Sequence, residues 1–120
     1  MDSRSFIARI KKSVRDGAAQ AVIDLLSDPP GRRPPPDLLK QAAWYASLSD
    51  ADKRMLADIV MRAVDAGLFH FLCVLDGVGF IEDGPDQGDF VLSYVKNGST
   101  RLNSPEDEML HDLFKDPAVY

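Results

Sequence analysis

Apolar residues recur along the first quarter of the chain at three- and four-residue spacing: Ile7, Ile10, Val14, Ala18, Ala21, Val22 and Leu25. That spacing places them on one stripe and predicts an amphipathic helix over Ser5–Leu26. Arg4, Arg9, Lys11, Lys12 and Arg15 mostly face away from the stripe. In a chain that is acidic as a whole, they read as a solvated face rather than a phosphate-binding one. The pattern breaks at Asp28-Pro29-Pro30-Gly31, because proline lacks the amide proton that would continue the ladder and pushes its predecessor out of helical space. Five prolines lie within Pro29–Pro36. The segment reads as a stiff exposed connection, with a polyproline-type ligand for an SH3-like partner as its functional alternative.

Asp37 is placed to cap a second helix, with Leu38, Leu39, Ala42, Ala43 and Ala46 on its inner face and Trp44 and Tyr45 at its edge. Ser49-Asp50-Ala51-Asp52 opens a third, with a serine cap and acid in the first turn. Leu56, Ile59, Val60, Ala63 and Val64 give that helix its core stripe. Leu68–Leu75 is apolar enough for a buried strand, yet Val64, Leu68, Phe71, Leu72 and Leu75 carry the helical stripe across Gly67, which favours helix. Asp76-Gly77-Val78-Gly79 ends it.

A β portion follows. Phe90–Val95 has strand composition, Asn97-Gly98 is a strong hairpin turn, and Thr100-Arg101-Leu102 returns; Gly79–Glu82 is the candidate third strand that such a hairpin needs. Ser104-Pro105-Glu106-Asp107-Glu108 then reads as a cap, an N1 proline and three acids opening a short helix with Met109, Leu110, Leu113 and Phe114 on one face. The expected fold is therefore one α+β domain over residues 1–120. It is mostly helical, with three or four helices plus a short C-terminal helix and a β-hairpin or small antiparallel sheet near residues 79–102.

Composition adds two constraints. At 120 residues and 13.2 kDa the chain is long enough for a core without covalent staples. Its single cysteine, Cys73, lies in the most apolar stretch, which points to a buried thiol and a reducing compartment. No targeting pattern and no membrane-length apolar run is visible, so the cytoplasm is the expected location.

Charge is unevenly divided along the chain. Residues 1–60 carry ten Lys/Arg against eight Asp/Glu, and residues 61–120 carry four against eleven, giving halves of +2 and −7 within the overall −5. The acid concentrates in Glu82, Asp83, Asp86 and Asp89 and again in Glu106, Asp107 and Glu108. Such a surface repels nucleic acid and anionic lipid and attracts a basic protein. The spacing of the first cluster does not match a calcium-binding EF-hand loop, so it reads as a solvated turn on Gly84-Pro85 and Gly88 or as a partner-binding loop.

Catalytic patterns are weak. Gly77-Val78-Gly79-Phe80-Ile81-Glu82 begins like a dinucleotide fingerprint but puts Glu82 where the third glycine belongs, and no helix pattern follows. Ser93, Ser99 and Ser104 lack a nucleophile elbow, and the surroundings of Cys73 offer nothing to lower its pKa. His70 and His111 are the only histidines, with no spacing suited to a metal site. His70 reads as a buried or half-buried structural residue and His111 as an intrahelical partner of Asp107. No cofactor is implied.

The stretches Phe71–Gly77, Gly88–Val95 and Leu110–Phe114 resemble small uncharacterised bacterial proteins, some of which are thought to be immunity proteins of toxin–immunity systems. The resemblance covers about the C-terminal half and supplies no functional residues. It implies a cytosolic acidic protein that neutralises a partner by binding. The leading expectation is a non-catalytic protein-binding domain of this inhibitor type, whose basic partner meets Glu82, Asp83, Asp86 and Asp89 and the Glu106–Glu108 acids. The alternatives are a small-molecule-binding protein or small enzyme with a pocket around Trp44, His70 and Asp76, and an adaptor docking through Pro29–Pro36. Apolar helix faces beyond one core's needs also leave room for a homodimer.

Overall fold

The computed structural model describes residues 1–120 and has the expected α+β, mostly helical character. A first rod runs through α1 (Ser3–Arg9), a π-helical segment (Ile10–Arg15) and α2 (Asp16–Ser27). It is followed by α3 (Pro36–Ala46), the long α4 (Asp50–Leu75), a hairpin of β1 (Ser93–Val95) and β2 (Ser99–Arg101), and α5 (Leu110–Lys115).

The π segment changes which face of the first rod looks inward. A π turn holds more residues than an α turn, so the helix face rotates as the chain passes through it. Ile7 is buried and Ile10 half-buried as expected. Beyond the segment the inward positions are Ala19, Ile23 and Leu26, each one residue later than the Ala18, Val22 and Leu25 of the regular stripe. Val14, Val22 and Leu25 consequently lie on the outside. Lys11, one helical turn after Ile7 and therefore on the same face, also points inward, against the expectation of a solvated side chain. Its ammonium donates to the backbone carbonyl of Asp116 at 2.7 Å and to that of Val119, above the Phe114 ring. Desolvation holds its pKa below the usual lysine value.

Helix α4 is one uninterrupted element of 26 residues, so the apolar run Leu68–Leu75 is helix and not strand. Ser49 caps it by accepting the Asp52 amide at 3.1 Å, with Asp50 and Asp52 at the positive end of the dipole. It closes in a Schellman motif: the Val78 amide reaches the Cys73 carbonyl at 3.0 Å and the Gly77 amide reaches that of Val74 at 3.1 Å. Gly77 sits at φ +77°, where a side chain would be strained.

Three boundaries differ from the sequence reading. Asp37 does not cap α3. The helix already starts at Pro36, with Pro35 at the cap position and Asp37 in the first turn; proline at the first helical position loses no hydrogen bond there. The segment Gly79–Glu82 is not a strand, and the sheet has only two strands. Pro105 and Glu106–Glu108 lie in a turn closed by the Asp107 amide on the Ser104 carbonyl at 3.2 Å, ahead of α5. The hairpin turns at Asn97-Gly98 as expected, both at positive φ, although its first strand is only Ser93–Val95; Ser93 pairs with Arg101 and Val95 with Ser99.

The core is small. Ile7, Leu72, Leu110, Leu113, Phe114 and Val119 form it where α1, the C-terminal half of α4 and α5 meet. Leu102 is buried beside it, and Leu92 packs against it from the start of the hairpin. By contrast α3 contains no buried residue, and α2 contains only Ala19. No helix is long and apolar enough to cross a membrane.

Candidate functional site: an acidic loop beside exposed apolar residues

The segment between α4 and β1 carries no regular hydrogen-bond ladder, so its shape comes from a few side chains. Asn103, immediately after the hairpin, is the main one. Its Oδ1 accepts the Leu92 amide at 2.8 Å, and its Nδ2 donates to the carbonyls of Leu75 at 2.6 Å and Phe90 at 2.9 Å. One buried amide thereby ties the end of α4, the end of the loop and the hairpin together. Sequence reasoning missed Asn103, because an asparagine after a strand looks like ordinary turn chemistry.

Within the loop, Gln87 donates to the carbonyls of Glu82 at 2.8 Å and Gly84 at 2.6 Å, and the Glu82 carboxylate accepts the Gly88 amide at 2.7 Å. Glu82 is thus engaged in holding the loop. Asp83, Asp86 and Asp89 are exposed and take part in no ion pair. Beside them, Phe80 and Ile81 are 73% and 67% exposed, and Val91 is 63% exposed. The loop is therefore an apolar surface bordered by free carboxylates. Asp89 also lines a hollow of about 250 Å³ with Asp76, Phe90, Arg101, Asn103 and Pro105, which continues the surface towards the second acidic turn.

That second cluster differs in kind. Arg4 pairs with Glu108 at 2.8 Å and approaches Asp116 at 3.6 Å, so part of its charge is neutralised internally. Glu106 and Asp107 are exposed and unpaired.

The residues of the pocket alternative are not brought together. Trp44 is 54% exposed on α3, and His70 is exposed on α4 rather than buried. Asp76 meets His111 instead of His70. Its nearly buried Oδ2 accepts the His111 backbone amide at 2.8 Å and lies 2.7 Å from Nδ1 of the ring. This also replaces the expected Asp107–His111 pair, since residue 107 precedes the short helix instead of belonging to it. The ring stands edge-on to Phe69, and its Nε2 is 3.4 Å from Asp112. The arrangement clamps α5 to the end of α4. Cys73 is half-buried, and desolvation followed by the nearby Asp76 charge raises its pKa, which favours the unreactive thiol. No cluster of three or more His, Cys, Asp or Glu side chains forms a metal-binding group. Pro29–Pro36 connects α2 to α3 and is largely exposed, with Pro35 in polyproline II geometry.

No protein-family model, curated protein or solved structure matches the chain.

Proposed function

We propose that the protein is a non-catalytic binding protein that docks a basic protein partner on the loop from Phe80 to Val91, in the manner of an immunity-type inhibitor acting in the cytoplasm. The observation that carries this reading is the set of unpaired carboxylates of Asp83, Asp86 and Asp89 on a loop pinned by Asn103 and Gln87, beside exposed Phe80 and Ile81. Buried aromatic and aliphatic anchors supply most of the energy at protein interfaces, while charges around them steer encounter and select the partner. A loop already ordered loses little entropy on binding. Glu106 and Asp107 extend the acidic surface and add to the long-range attraction.

The test is a capture experiment with two baits, the native chain and the variant Asp83→Lys, Asp86→Lys, Asp89→Lys, each at low and high salt. A basic protein retained by the native chain, weakened by salt and lost with the variant supports the reading. Equal retention by both baits, or retention indifferent to salt, overturns it.

A further inference from the structure

The chain exposes more surface than a monomer of its size. Its accessible area is 8502 Å², against roughly 6,400 Å² expected for a 13.2 kDa folded monomer. Its radius of gyration is 18.2 Å, against about 14 Å for a compact chain of this length. The excess of about 2,100 Å² per protomer matches one partner's share of an obligate homodimer interface.

The best-formed part of that surface is a ridge on α4. Met55, Ile59, Ala63, Gly67 and Phe71 follow one another at four-residue spacing and are all exposed, Met55, Ile59 and Phe71 by more than half. Such a row is the unit of ridge-into-groove packing, in which two helices cross at about −50°. Apart from its own helical turns, nothing in the chain lies within 4 Å of where a Cβ on Gly67 would stand.

We propose that this ridge is the contact between two copies of the chain, related by a two-fold axis at Ala63. The sequence of sizes is complementary to itself under that operation. Met55 and Phe71 are each eight residues from Ala63, so Met55 of one copy meets Phe71 of the other, a thioether against an aromatic ring. Ile59 meets Gly67 in the same way, a branched side chain over an open backbone. Ala63 meets its own counterpart, where a small side chain permits close approach. The exposed charges bordering the ridge are Asp52, Asp58 and Arg62, a net −1 per copy, so this face carries little of the acid that would drive two copies apart.

Sedimentation equilibrium on the native chain tests the assembly. The expected mass is twice 13.2 kDa at micromolar concentration, and a monomer at about 100 µM, a weak-binding concentration, overturns the proposal. Gly67→Leu has space in the protomer, so circular dichroism stays helical while the dimer dissociation constant rises at least about tenfold. An unchanged dimer overturns the assigned face. In a Cys73→Ser background, Ala63→Cys joins two copies through a short bis-maleimide, whereas Arg54→Cys on the opposite side of α4 does not; failure of Ala63→Cys in a dimeric protein also overturns it.

Discussion

Replacing Asn103 with alanine removes three short hydrogen bonds and a longer one of 3.4 Å from the exposed Arg101 Nε, and leaves the Leu92 amide and the Leu75 and Phe90 carbonyls without their partner. Asn103 is 6% exposed, so water does not readily substitute. At about 1 kcal/mol net for each of the three short bonds, the cost is about 3 kcal/mol. With an unfolding entropy near 2.1 cal/mol/K per residue, this lowers Tm by roughly 12 °C for a chain of this length. Urea denaturation with far-ultraviolet dichroism measures the free energy, and hydrogen exchange at the Leu92 amide reports whether the loss is local. Asn103→Asp separates the acceptor role from the donor role. It keeps an acceptor for Leu92 but sets a negative charge against two carbonyls, so it is more destabilising than alanine at neutral pH and recovers as the carboxyl protonates. An Asn103→Ala protein within about 0.5 kcal/mol of native, the range of ordinary surface substitutions, with Leu92 protection unchanged, would refute the role of Asn103 as the anchor of the loop.

Other consequences follow from the same geometry. Asp76→Ala strips the His111 backbone and ring of their shared acceptor and costs about 2–3 kcal/mol in urea denaturation, as expected for hydrogen bonds to a charged group; a neutral effect contradicts the clamp. Ile23→Ala costs about 2 kcal/mol, while Leu25→Ala leaves the stability of the protomer nearly unchanged; the reverse order would contradict the face rotation through the π segment. Tyr120 donates to Asp16, which lowers the Asp16 pKa and raises that of Tyr120. The Asp16 contribution is therefore present above pH 3.8 and lost as pH falls through its lowered folded value. The Tyr120 contribution is present below pH 10 and lost as pH rises through its raised folded value. Tyr120→Phe should flatten both limbs of a urea-midpoint profile against pH, and an unchanged profile contradicts the pairing.

The elements that depend on local chemistry were legible in the sequence. Ser49 marks the start of α4, the helix runs through Gly67 without a break, and Asn97-Gly98 turns the hairpin, but Ile59, Ala63 and Phe71 of the expected core stripe of α4 are exposed. The apolar face of α2 was misplaced because a 3.6-residue period has no term for a π turn at residues 10–15, and one extra residue per turn is enough to exchange an inward face for an outward one. Gly79–Glu82 looked like a strand because Phe80 and Ile81 are apolar, yet both stay exposed. Their exposure is what links them to the acidic loop, so the misreading and the candidate site share one cause. The acids themselves were visible from charge alone, but their division was not. Glu82 is occupied within its loop and Glu108 by Arg4, and both partners depend on the folded chain. Asp76 and His111 are 35 residues apart, and no local pattern predicts their contact.

The central claim is that Asp83, Asp86 and Asp89 attract a basic protein to the surface formed with Phe80 and Ile81. The most direct measurement is the association rate between the captured basic protein and the native chain, compared with the triple lysine variant across a range of salt. The expected rate falls steeply with salt for the native chain and drops by about tenfold or more at low salt for the variant. Equal rates for the two proteins, with the same salt dependence, would contradict it.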